Sequence, residues 1–69
     1  MIEITGVVAS FDDGRGDGQL LSDDGERFYF HCVEIGDGSR TIPVGVRATA
    51  QRRVGRLGRD EVGQVAALA

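Results

Sequence analysis

Apolar and polar residues alternate along much of the chain, in short runs separated by glycine and aspartate. The first run, IEITGVVASF over residues 2–11, sets Ile2 and Ile4 against Glu3 and Thr5, the period-two signature of a strand with one buried face. DDGRGDG (12–18) reads as a loop. QLLS (19–22) predicts a short strand, and DDGER (23–27) a tight turn of the Asp-Gly kind that favours hairpins. FYFHC (28–32) predicts a third strand, with three aromatic residues in succession. VEIGDGSRTIPVG (33–45) is too broken by glycine and its single proline for a helix of any length, and reads as a long connection. VRATAQRRV (46–54) alternates as a fourth strand, and GRLGRDEVG (55–63) is another turn-rich loop. QVAALA (64–69) closes the chain as a fifth strand, although its alanines also suit a short helix.

Alternation assigns faces. Phe28 and Phe30 point one way and Tyr29 and His31 the other; Leu20 faces away from Gln19 and Leu21. Five short strands in so small a chain cannot pack two separate sheets well. A closed or nearly closed barrel gives one core and removes exposed strand edges. Its predicted core is Ile4, Val8, Leu20, Phe28, Phe30, Ile35, Ile42, Ala48 and Val65. Ala48 and Ala50 are small for a core strand, and Phe28 and Phe30 fill the volume they leave.

Composition narrows the picture. Sixty-nine residues make one domain, spanning 1–69, with a limited core and marginal stability. Eleven glycines, scattered rather than periodic, imply many tight turns. No run of about 18 apolar residues offers a membrane span. MIEITGVV lacks the basic start and apolar block of a signal peptide, and a single cysteine, Cys32, excludes an internal disulfide. The expected compartment is the cytoplasm. Charge is uneven. Residues 1–39 carry nine acids against two arginines, a balance of −7; residues 40–69 carry six arginines against two acids, a balance of +4. The net −3 gives no global attraction to phosphate, but the C-terminal third offers a local basic patch.

Enzyme chemistry finds no footing. There is one histidine, one cysteine and no metal-ligand spacing. Ser10 with His31 lacks an orienting third group. The paired aspartates at 12–13 and 23–24 fall in turns, where aspartate is favoured for backbone reasons. No cofactor, metal or small-molecule substrate is called for.

Three segments in order carry a family resemblance: GVVASFD, RGDGQL and FYFHC, followed by GDGSRTIPVG. Together they resemble the bacterial cold-shock domain over nearly the whole chain. That family reads Gly-Thr-Val-Lys-Trp-Phe-Asn, then Lys-Gly-Phe-Gly-Phe-Ile, then Val-Phe-Val-His-Phe at these separations. The resemblance implies an all-β fold, a five-stranded antiparallel barrel of the oligonucleotide-binding type (the OB-fold). It implies binding of single-stranded RNA or DNA by stacking bases on aromatic residues of strands two and three, in nucleic-acid chaperones and regulators of transcription or translation.

The departures lie on that platform. The family tryptophan falls on Ser10, the two phenylalanines of the first motif on Asp17 and Gln19, the last phenylalanine of the second on Cys32, and a loop phenylalanine on Ser39. Phe11, Tyr29 and His31 survive, with Arg15 in place of lysine. Base–aromatic stacking contributes ~1–3 kcal/mol per base, so three lost contacts weaken binding by roughly two orders of magnitude or more. The expectation is weakened or more selective binding, RNA in preference to DNA. Its expected contacts are Phe11, Arg15, Asp17, Gln19, Tyr29, His31 and Arg40, with Tyr29 and His31 stacking and Asp17 and Gln19 reading base edges. Asp17 and Gln19 also read plainly as a solvated turn residue and an exposed strand residue, Phe11 as a core edge, and Cys32 as a small buried side chain. Arg52, Arg53, Arg56 and Arg59 describe a flexible basic loop able to contact phosphates, dock on an acidic protein, or balance the acidic half of its own domain. The alternative function is a protein-interaction module that has kept the barrel, lost most nucleic-acid binding, and joined the transcription or translation machinery.

Overall fold

A computed structural model describes residues 2–54 and 60–68. Five strands, β1 (Ile2–Asp12), β2 (Asp17–Ser22), β3 (Arg27–His31), β4 (Arg47–Val54) and β5 (Asp60–Ala67), close into a barrel in the order β1-β2-β3-β5-β4. A single 3₁₀ turn, Cys32–Glu34, follows β3, and the described residues contain no α-helix. Residues 64–67 are therefore strand rather than helix. β5 also begins at Asp60, inside the segment expected to be loop.

The all-β barrel agrees with the sequence expectation, but it is not wholly antiparallel. β1/β2, β2/β3, β1/β4 and β4/β5 are antiparallel, whereas β3 and β5 run parallel. Five strands require this: strict up-down alternation cannot close around an odd number, so one neighbouring pair must share a direction.

The inward faces supply one core: Val8, Leu20, Phe28, Phe30, Ile35, Ile42, Ala48, Ala50, Val62 and Val65 are all buried. Ile4, expected among them, is half-buried against the cluster. Ala50 and Val62 join it. Ala48 and Ala50 of β4 and Phe28 and Phe30 of β3 share that one core.

Two irregularities displace the simple alternation. Val8 pairs with Leu20 but Ser10 with Gln19, so β1 carries one extra residue at Ala9. In β5, Thr49 pairs with Ala66 and Gln51 with Gly63, which puts the extra residue around Gln64, at φ 52. That bulge lets Val62 and Val65, three apart, both face inward. Glu34 braces it: its carboxylate accepts the Gln64 N–H at 3.2 Å and an Arg53 N–H at 2.7 Å.

Candidate nucleic-acid interface

The outward face of β2 and β3 follows from their register. Asp17 lies opposite His31 and Gln19 opposite Tyr29. β1 extends the same rungs with Asp12 and Ser10, and β5 sets Glu61 beside Tyr29. Phe28 and Phe30 are buried, so Tyr29 and His31 face outward together, Tyr29 half-buried and His31 exposed.

The glycines of RGDGQL have structural causes. Gly16 adopts φ 75, and a Cβ there would stand 2.9 Å from the Cys32 sulfur. Gly18 faces inward between Phe11 and Phe30, and a Cβ would meet the Ser10 carbonyl oxygen at 2.4 Å and Phe11 Cδ1 at 2.9 Å. The missing side chain lets the Phe11 ring lie over β2 and stack on Phe30, centroids 5.9 Å apart and planes 15° from parallel. Phe11 is accordingly packed against the core, with one side lining the outer groove.

Asp17, expected in a loop, is the first residue of β2, and its side chain is only 14% exposed. One carboxylate oxygen accepts from Arg15 Nε at 3.1 Å and Nη2 at 3.0 Å; the other accepts from the Tyr29 hydroxyl at 2.9 Å. The Tyr29 hydrogen bond, followed by the bond and charge of Arg15, holds the carboxyl below its ordinary pKa against the opposing effect of desolvation. The guanidinium of Arg15 is held above its own usual value by the same contact. Asp17 thus has both oxygens engaged and serves to orient Arg15 and Tyr29.

Gln19 is exposed, and its amide oxygen accepts from Arg27 Nη1 at 3.3 Å, which directs the amide NH₂ away from Arg27. A groove of about 270 Å³ runs along Ser10, Phe11, Arg15, Asp17, Gln19 and Tyr29. A second, of about 230 Å³, is bounded by Gln19, Arg27, Phe28, Tyr29 and Asp60. Tyr29 and Gln19 wall both, with Arg15 at one end and Arg27 at the other. The His31 ring caps the 3₁₀ turn, Nδ1 accepting the Val33 N–H at 3.4 Å, with the Cys32 sulfur 3.8 Å away. Cys32 is half-buried rather than fully enclosed.

The remaining candidates lie apart. Arg40 is exposed at φ 62 in the connection before β4. Arg52 and Arg53 belong to β4 rather than to a flexible loop, and both have partners. Arg52 lies 3.7 Å from Asp60, with its guanidinium 5.8 Å from the Phe28 ring centroid, and Arg53 binds Glu34. Arg56 and Arg59 lie outside the described residues. Sequence reasoning missed Arg27, assigned to a turn but standing at the start of β3 beside Gln19. Pairing QLLS with FYFHC across the Asp-Gly turn would have placed it there.

Among the described residues no three His, Cys, Asp or Glu side chains gather as metal ligands, and no helix is long and apolar enough to cross a membrane. No family model matches the chain, and no curated protein matches it significantly.

Proposed function

We propose that the chain is a cold-shock-like barrel of the OB type that binds single-stranded nucleic acid, RNA in preference to DNA, in the cytoplasm, without performing chemistry. The strand order β1-β2-β3-β5-β4 with a parallel β3/β5 contact is compatible with that fold. The observation that carries the reading is the paired groove on the β2–β3 face, in which Tyr29 and Gln19 form a shared wall between Arg15 and Arg27. A base stacks on Tyr29, a second on His31, and the Gln19 amide NH₂ donates to a base edge. Affinity is modest because two rings replace a full aromatic platform and because Asp12, Asp17 and Glu61 border the track. A protein with this binding suits an RNA chaperone or a regulator of transcription or translation.

One observation favours the protein-interaction reading. Arg15, Arg47, Arg52 and Arg53 are each ion-paired to a carboxylate, which leaves Arg27 and Arg40 as the arginines without an ion pair among the described residues. Titration of labelled RNA and DNA oligonucleotides at low and moderate salt decides between the two. Salt-sensitive binding abolished by Tyr29→Ala with His31→Ala supports the nucleic-acid reading. Absence of binding at high micromolar protein, with recovery of a transcription or translation component from lysate, supports the other.

A further inference from the structure

Three donors, two from the turn before β2 and one from β3, converge on one carboxylate that lines the larger groove: Arg15 Nε and Nη2 on one oxygen of Asp17, and the Tyr29 hydroxyl on the other. A carboxylate and a phosphodiester both present two oxygens of shared negative charge on one centre. A guanidinium and a hydroxyl arranged for one therefore suit the other. Asp17 orients the two donor groups, but the backbone that carries each is anchored without it. The Arg15 backbone N–H, with that of Gly14, is accepted by the Asp12 carboxylate, and the Tyr29 backbone is held in the β2–β3 ladder, so both side chains stay beside the groove when Asp17 is replaced. Arg15 remains open to solvent, its side chain 73% exposed.

We infer that Arg15 and Tyr29 form a binding site for one phosphate of a single strand, and that Asp17 occupies it as a built-in competitor. Tethered in place, the Asp17 carboxylate has a high effective concentration against any passing phosphate. A strand that stacks a base on Tyr29 brings its backbone to this groove, where it meets a filled site and a like charge. Asp17 then sets the affinity of the face: it withholds one phosphate contact and keeps binding dependent on the bases. The identity of the ligand rests on the nucleic-acid reading above; the existence of a masked anion site does not.

The experiment compares the parent, Asp17→Asn, Asp17→Ala and Arg15→Ala with Asp17→Ala. A labelled single-stranded heptanucleotide is titrated over a salt series, and inorganic phosphate is titrated separately with amide chemical shifts as readout. Circular dichroism confirms that each variant is folded, and Asp17→Asn provides the near-isosteric change should Asp17→Ala perturb β2. Emptying the site is expected to tighten oligonucleotide binding about tenfold at low salt. It should also steepen the log–log salt slope by about 0.7, the release expected for one added phosphate contact on a single strand. The further loss of Arg15 should restore the parental slope. Phosphate should shift the Arg15 and Tyr29 amides in Asp17→Ala and Asp17→Asn but not in the parent. Unchanged affinity and slope in both Asp17 variants, while Tyr29→Ala still weakens the parent, overturns the inference and spares the nucleic-acid reading. Phosphate shifts in the variants without oligonucleotide binding by any form support the masked site and overturn that reading. Absence of both overturns both.

Discussion

The Tyr29 hydroxyl donates to Asp17 at 2.9 Å on a diagonal between two neighbouring strands, one rung removed from the direct partners Tyr29–Gln19 and Asp17–His31. The bond fixes the ring by its outer end, while the ring face lines the grooves. Ring and hydroxyl therefore have separable roles. Tyr29→Phe is expected to keep oligonucleotide affinity within about threefold of the parent, whereas Tyr29→Ala, which removes a stacking surface worth ~1–3 kcal/mol, lowers it about fivefold to a hundredfold. Equal losses in the two variants, measured by anisotropy, would assign the contact to the hydroxyl instead.

Arg27 reaches the same face with only an amide as its described partner. Arg27→Ala should weaken binding of all sequences alike and make the salt slope shallower by about 0.7. A change in base preference with an unaltered slope would contradict a phosphate-contacting role.

Gly18 is the point of closest approach behind the site. A methyl group there has the Ser10 carbonyl and the Phe11 ring inside contact distance, the carbonyl at 2.4 Å. Gly18→Ala is expected to cost ~2 kcal/mol or more, which lowers Tm by roughly 8–16 °C in a domain of this size. A thermal melt within a few degrees of the parent would show that β1 and β2 part easily, and that the Phe11–Phe30 stack is not held by this glycine.

Glu34 gives the fold an acid-sensitive brace. Arg53, and next the Gln64 N–H, hold its carboxyl below the ordinary value of 4.5 despite partial desolvation. A group with a depressed native pKa contributes stability that is complete above its unfolded value and fades as pH falls through the native one. The Tm difference between parent and Glu34→Gln should therefore be constant above about pH 5 and shrink below about pH 4.5. A difference that persists undiminished at pH 2.5 would rule out the ionised carboxylate as the source.

Most of the barrel could be read from the chain because its strands obey period two with clear turn residues between them. Val8, Leu20, Phe28, Phe30 and Ala48 were all legible as inward positions. Reading failed where one residue is added to a strand. The bulge near Gln64 puts Val62 and Val65 on one face at a spacing of three, so no alternation announced the first half of β5. The bulge at Ala9 likewise turns Phe11 toward Phe30. The outward placement of Tyr29 and His31 was visible from alternation alone. The part played by Asp17 was not: its two partners, Arg15 two residues before it and Tyr29 twelve residues beyond it, meet it only once β2 and β3 are in register.

Odd-numbered closure leaves its mark beside the candidate site. β2 and β3 share five registered pairs, but β3 and β5 share one, Tyr29 with Glu61, followed by the bridge between Ile35 and Val65. Registered pairing is sparsest there, and the local opening of lowest free energy is expected along that seam. The residue whose ring is proposed to stack a nucleobase thus also makes the single registered pair between β3 and β5. On the proposed function, a strand of nucleotides seated across it would staple the wall shut, and the amide protons of Tyr29 and Glu61 are expected to exchange more slowly with solvent when an oligonucleotide is added.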